Sequence, residues 1–72
     1  MSSTTATIKR IQELLQKLYG ADFRNFTVLY DHEKLQWVCT VEMHGGKPTI
    51  QHTSDKLGLL AGHLFDLTEG KA

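Results

Sequence analysis

The chain has 72 residues, in which eight Lys or Arg balance eight Asp or Glu and 40% of the side chains are hydrophobic. This length predicts one small domain, and the hydrophobic content is enough for a single core and too high for a disordered chain. Nucleic-acid binders draw most of their affinity from neutralising phosphates, so a formal net charge of zero argues against a strong, non-specific grip on RNA or DNA.

The cysteine content limits both the compartment and the kind of site. Cys39 is the only cysteine, which excludes an internal disulfide and a zinc site built from cysteines. Small secreted domains are usually rich in disulfides, so we expect a cytoplasmic location. The sequence has no apolar run of the roughly 18 residues that span a membrane and no pattern of a signal peptide. We therefore expect no membrane contact, no metal and no cofactor.

A helical pattern begins at about Thr5, after residues 1–4, which we expect to be disordered. Gly20 is placed to end this helix, with Lys17 in its last turn facing the negative helix end. Apolar side chains recur at three- and four-residue intervals and therefore share one face: Ile8, Ile11, Leu14, Leu15 and Leu18. At the other end of the chain, we expect residues 68–72 to fray.

Alternation of apolar and polar residues predicts three strands after this helix. The loop Asp31–Lys34 joins the first two, and Gly45-Gly46 supplies the positive φ angles of a tight turn into the third. Both turns place the apolar residues on the same sheet face, because directly opposed residues share a face. The expected pairs are Tyr30–Leu35, Val28–Trp37, Phe26–Cys39, Met43–Pro48, Val41–Ile50 and Cys39–His52.

A second helix is expected next, capped by Thr53 or Ser54 and with Asp55 in its first turn. Its apolar stripe consists of Leu57, Leu60, Ala61, Leu64 and Leu67. The opposite sheet face is mostly polar, so only the apolar face of the sheet has to be buried under the helices. We predict a single α+β domain over residues 1–72: helix, three-stranded antiparallel sheet, helix, with both helices on one sheet face.

This order and three segments of the chain resemble the double-stranded RNA-binding domain. IKRIQELLQKL is similar to the first helix of that family, WVCTVEMHGGKPTI to its second and third strands, and SDKLGLLAGHLFDL to its last helix. The resemblance covers about residues 6–67. It implies an α-β-β-β-α fold and double-stranded RNA as a ligand.

The residues that hold RNA in that family are mostly missing from this chain. The family's last helix opens with a lysine cluster, whereas the matching positions here are Asp55, Lys56 and Leu59. The candidate RNA contacts that remain are Gln12, Gln16, His32, Lys34 and Lys56. Duplex binding needs contacts in the minor grooves and to the phosphates between them. We therefore rank RNA binding below a role in protein contacts, which degenerate members of the family often have.

We thus predict a small non-enzymatic interaction module that binds another protein or a second copy of itself, with weak double-stranded RNA binding as the alternative. Compact chains of this kind are common among bacterial and phage-encoded accessory proteins. Trp37 is assigned to the core because it is in phase with Cys39. Four apolar residues without a clear place in the core form the candidate contact surface: Leu29, Val38, Leu59 and Phe65.

Two further patterns leave alternatives open. Cys39 opposite His52 is compatible with a nucleophile and its base, which predicts an acidic and fast-reacting thiol. A buried thiol beside a hydrogen-bonded imidazole is the commoner arrangement, and we expect no catalytic residue. Gly58 and Gly62 lie one turn apart. We interpret them as close packing of the second helix on the sheet, the alternative being a groove that receives a partner.

Overall fold

The computed structural model describes residues 3–70. Its three strands form one antiparallel sheet in which strands consecutive in the chain are neighbours, so the predicted α+β class is confirmed. The order of elements also agrees with the one that the resemblance implies. In chain order the elements are α1 (Ser3–Tyr19), a 3-10 turn (Gly20–Asp22), β1 (Phe23–Asp31), β2 (Gln36–Met43), β3 (Ile50–Ser54) and α2 (Leu57–Thr68).

Both ends of the described chain lie in helical or hydrogen-bonded backbone. Helix α1 begins at Ser3, and it ends just before Gly20, whose φ of 58° is the left-handed conformation expected of a helix stop. At the other end, the backbone N–H of Glu69 donates to the carbonyl of Phe65 at 3.1 Å, and that of Gly70 donates to Leu67 at 3.2 Å. Residues 1–2 and 71–72, for which we also expected disorder, lie outside the described residues.

Both helices pack on the same face of the sheet. The buried core contains three residues of α1, two of β2 and three of α2: Ile11, Leu14, Leu15, Cys39, Val41, Leu57, Leu60 and Leu64. Trp37 and Ile50 are partly buried against this core, in agreement with the prediction. The alternation within β2 thus directs Cys39 and Val41 to the helices and leaves the intervening side chains on the other face.

The register of the first hairpin differs from the prediction by two residues. Residues 25–31 of β1 pair with residues of β2 two positions further along than expected, and the observed pairs include Tyr30–Trp37, Val28–Cys39 and Phe26–Val41. A shift of one residue would exchange the two faces of a strand, whereas a shift of two preserves them. The predicted faces of β1 and β2 are therefore right although the predicted partners are wrong.

The cause of the shift is the position of the first turn. The turn covers residues 32–35, and Asp31 Oδ1 accepts hydrogen bonds from the backbone N–H groups of Glu33 (2.9 Å) and Lys34 (3.2 Å). A carboxylate bound to the following backbone in this way stabilises a turn. Leu35 has a φ of 54° and is 66% exposed, so it lies in the turn and not in β2 as predicted.

The second hairpin follows the predicted register near its centre. The pairs Val41–Ile50 and Cys39–His52 are confirmed, and Gly45 and Gly46 have φ angles of 75° and 71°. The pair Met43–Pro48 is wrong, because β2 ends at Met43 and β3 begins only at Ile50. The connection is therefore longer than a two-residue turn.

The start of α2 also differs from the prediction. Thr53 and Ser54 belong to β3, where they pair with Val38 and Trp37, so neither caps the helix. Lys56 occupies the N-cap position in an extended conformation and makes no side-chain cap hydrogen bond. Asp55 precedes the helix instead of lying in its first turn.

Candidate functional site

No helix or strand within residues 3–70 covers the sheet face opposite the helices, and this face carries two complete rows of uncharged side chains. One row joins Leu29, Val38 and Thr53, and the other joins Thr27, Thr40 and Gln51. We call these six residues the open face. Leu29 is 64% exposed at its edge, and the Gln51 amide donates to Thr40 Oγ1 at 3.4 Å within the second row.

Acidic residues stand at both ends of the open face. Alternation places Glu42 beyond one row, paired with Asn25, and Asp31 beyond the other, paired with Gln36. The face therefore offers methyl, hydroxyl and amide groups with carboxylates at its margins. This composition suits contact with another protein surface and does not suit a phosphate backbone, which requires cations.

The four predicted contact residues divide between two surfaces. Leu29 and Val38 are cross-strand neighbours on the open face. Leu59 and Phe65 lie on α2, which packs on the opposite side of the sheet. Leu59 is 60% exposed, whereas Phe65 is 37% exposed and has the Arg10 guanidinium 5.6 Å from its ring centroid. A cation is attracted to the face of an aromatic ring, so Phe65 already has a contact within the chain, with Arg10.

Three of the candidate RNA contacts lie at one end of the sheet. His32 and Lys34 are exposed in the first turn, and Lys56 is exposed just before α2. These segments are neighbours because Trp37 pairs with Tyr30 on one side and with Ser54 on the other. The remaining two candidates, Gln12 and Gln16, are exposed on α1.

The charge at this end of the sheet is not positive. The same segments carry three carboxylates, Asp31, Glu33 and Asp55, against the two ammonium groups of Lys34 and Lys56. The imidazole of His32 packs edge-on against the Tyr30 ring, with centroids 4.9 Å apart. This surface lacks the excess of cations with which RNA-binding proteins hold phosphates.

A polar cluster lies between the two helices and β3. The Tyr19 hydroxyl is hydrogen-bonded to His52 Nε2 at 2.8 Å, and the His52 and His63 rings lie 5.7 Å apart. We call these three residues the histidine cluster. Burial, and then the charge of His63, lower the pKa of His52 below its ordinary value. The part played by Tyr19 was missed, since nothing in the local pattern of α1 links its last residue to β3.

Cys39 does not have the acidic thiol that a nucleophile requires. The side chain is fully buried, and burial raises its pKa to about 11. Because the thiolate is the reactive form, this shift opposes reaction at neutral pH. Cys39 therefore behaves as a small core residue. Within residues 3–70, no group of three or more His, Cys, Asp or Glu side chains is arranged to hold a metal ion.

The histidine cluster makes stability depend on pH. Since folding lowers the pKa of His52, the stabilisation is present above the ordinary value of 6.5 and is lost as the pH falls through the lowered value. We expect His52→Gln, which cannot titrate, to show a smaller loss of unfolding free energy between about pH 7.5 and about pH 5.5 than the wild type. Urea denaturation at both pH values measures this difference.

A second variant assigns the pH effect to the pair of histidines. The charge of His63 contributes to the lowered pKa of His52, so His63→Gln should reduce the pH-dependent loss without abolishing it. His63 is exposed, so the fold should tolerate this change. Equal pH dependence in the wild type and in His52→Gln would contradict the role of the cluster.

A shallow cleft of about 290 Å³ adjoins the connection between β2 and β3. Its charged lining residues include Arg24, Lys47 and Glu42. Lys47 forms an ion pair of 2.8 Å with Asp22, and both side chains are about half exposed. The charges of Arg24 and Lys47 are thus balanced by those of Glu42 and Asp22, so the cleft favours neither anionic nor cationic ligands.

The two glycines of α2 do not serve close packing. Gly58 and Gly62 are exposed, and a Cβ atom built at either position would meet no atom within 4 Å. The interpretation that they allow the helix to approach the sheet is therefore wrong. The space beside them opens to solvent.

Comparison of the chain with models of known families, with curated proteins and with solved structures finds no match. The resemblance to the double-stranded RNA-binding domain therefore rests on the order of elements and on the local segments alone. No helix within residues 3–70 has the length and apolar character needed to cross a membrane.

Proposed function

We propose that the protein is a small, non-enzymatic interaction module of the cytoplasm, which binds another protein or a second copy of itself. The observation that carries this proposal is the open face, where six neighbouring side chains without charge remain uncovered. Soluble domains normally expose many charged side chains, and interface centres are depleted of them. An uncharged, partly apolar sheet face is therefore suited to protein contact.

The size of the domain supports the same proposal. Among the residues whose burial is described, 4–70, the buried core consists of eight. Small domains bury a lower fraction of their surface than large ones, and a bound partner stabilises the folded state by mass action. An exposed Leu29 beside Val38 provides an apolar contact for such a partner.

Weak binding of double-stranded RNA is the second candidate function. It is favoured by the neighbouring positions of His32, Lys34 and Lys56, together with the exposed Gln12 and Gln16 on α1. These groups match the contacts that the resemblance implies for minor grooves and phosphates. The three carboxylates in the same segments oppose phosphate binding, so the interaction role has the stronger support.

Light scattering coupled to size exclusion, with and without duplex RNA, separates the two proposals. For an interaction module that associates with itself, we expect a mass above that of the monomer, unchanged by added RNA or by Lys56→Glu. An RNA binder should instead remain monomeric without RNA and elute as a larger complex when duplex RNA is added at low salt. This change in elution should disappear at high salt or with Lys56→Glu. The second pattern would overturn the interaction proposal.

A further inference from the structure

We propose that the free edge of β1 pairs with β1 of a second copy of the chain, so that two three-stranded sheets join into one of six strands. The inference rests on the proposed interaction role and specifies its site and its partner.

The two edges of the sheet differ in how they are protected. β3 is five residues long and follows the connection that contains Pro48, whereas β1 is nine residues long and its pairing with β2 is irregular only near its start, between Phe23 and Asn25. Short edge strands, prolines and lysines keep edges from pairing with other chains. The centre of β1, residues 26–30, reads FTVLY and contains no charge, proline or glycine. Within residues 3–70, no strand pairs with the second edge of β1.

The residue types at the centre of β1 favour strand pairing. Aromatic and β-branched residues are enriched in strands, and four of these five residues belong to those classes. The Phe26 N–H donates to the Asn25 side chain at 2.9 Å, and the N–H and C=O groups beyond it that face the free edge form a template for a further strand. The edge is therefore suited to backbone pairing as well as to side-chain contact.

The charges at the two ends of β1 select an antiparallel partner of the same sequence. Arg24 lies near the start of the strand and Asp31 is its last residue. Antiparallel pairing of two copies brings the basic start of each strand towards the acidic end of the other, whereas parallel pairing would place like charges together. The formal net charge of zero adds no long-range repulsion between copies.

A two-fold axis perpendicular to the sheet produces this antiparallel pairing of the two β1 strands. Under this symmetry the helices of both copies stay on one side, and the two open faces become continuous on the other. Leu29 of each copy, 64% exposed in the single chain, then lies on the same side as its counterpart and close to the junction. The edge thus gains backbone partners while an exposed leucine gains apolar neighbours.

Analytical ultracentrifugation of the full chain tests this edge with two matched variants. Leu29→Lys and Leu59→Lys replace leucines that are 64% and 60% exposed, so neither should disturb the fold of the single chain. We expect the wild type to be dimeric. For Leu29→Lys the dimer dissociation constant should be at least about tenfold higher, because lysines on an edge strand oppose pairing and like charges repel across strands. Leu59→Lys should cause no comparable change.

Hydrogen exchange gives a second measurement that does not depend on a substitution. Backbone amides of residues 27–30 that face the free edge should become more protected as the protein concentration rises through the dimer range. Concentration-independent exchange in this segment of a dimeric protein would overturn the edge assignment.

The outcomes separate failure of the edge from failure of the interaction role. Dissociation by Leu59→Lys with a retained Leu29→Lys dimer would overturn the β1 edge, while the interaction role would stand with α2 as its surface. A wild type that is monomeric at all concentrations overturns the dimer. If that monomer also binds duplex RNA in a salt-dependent manner, the interaction role fails with it.

Discussion

Leu60→Ala should lower the free energy of unfolding by about 2–5 kcal/mol, the usual cost of removing a buried leucine side chain. Leu60 is fully buried in the cluster formed by α1, α2 and β2. The substitution removes apolar surface from the core and leaves a cavity that the neighbouring side chains fill incompletely. Single domains have a total stability of about 5–15 kcal/mol, so this loss should be conspicuous. Urea denaturation followed by Trp37 fluorescence and by circular dichroism measures it.

The neighbouring residue provides the matched control. Leu59 precedes Leu60 in the same helix and is 60% exposed, so Leu59→Ala loses the same atoms with little loss of burial. We expect a change within about 0.5 kcal/mol, as for other surface positions. Equal destabilisation by the two substitutions would mean that α2 presents a different face to the sheet. It would also remove Leu59 from the exposed surfaces considered above.

Gly62→Ala and Gly46→Ala should change stability in opposite directions. Gly62 is exposed within α2 and a methyl group there meets nothing within 4 Å, so Gly62→Ala should add about 1 kcal/mol through helix propensity. Gly46 has equally open space but a φ of 71°. Alanine in this left-handed region costs about 1–2 kcal/mol, so Gly46→Ala should destabilise the protein.

The same denaturation experiment measures both glycine variants, and each acts as a control for the other. Because neither added methyl group contacts another residue, any difference in sign comes from the backbone conformation alone. A destabilising Gly62→Ala at low protein concentration would contradict the open environment of this glycine. If Gly62→Ala destabilises only at concentrations where copies associate, α2 would be implicated in the contact.

The faces of the strands could be predicted although the exact register could not. Period-two alternation specifies which side chains of β1 and β2 share a side, and this information survives a shift of two residues. The position of the turn depends on a competition between loops of similar length. Here the Asp31 carboxylate binds two backbone N–H groups and moves Leu35 into the turn. Such a small energetic preference leaves no signal in the hydrophobic pattern.

The candidate site was predictable in part for the same reason. The position of Leu29 and Val38 on the same sheet face followed from their phase within the strands, and the pairing of Cys39 with His52 followed from the Gly45-Gly46 turn. The pKa shifts could not be foreseen, because they depend on burial and on side chains that distant segments bring together. Tyr19 and His52 are separated by 33 positions in the chain and meet only in the folded protein.

The sequence by itself determined the order of the elements, the apolar face of each and the covering of one side of the sheet. These features follow from the local spacing of apolar residues, which is the same whichever register the strands adopt. Only the tertiary structure decided where the first turn lies, that Lys56 and not Thr53 or Ser54 precedes α2, that Gly58 and Gly62 face open space, and that the candidate contact residues divide between two surfaces. The first turn depends on the two hydrogen bonds that the Asp31 carboxylate accepts from the following backbone. The other three features depend on how the helices pack against the sheet, which is a sum of many weak contacts between distant residues.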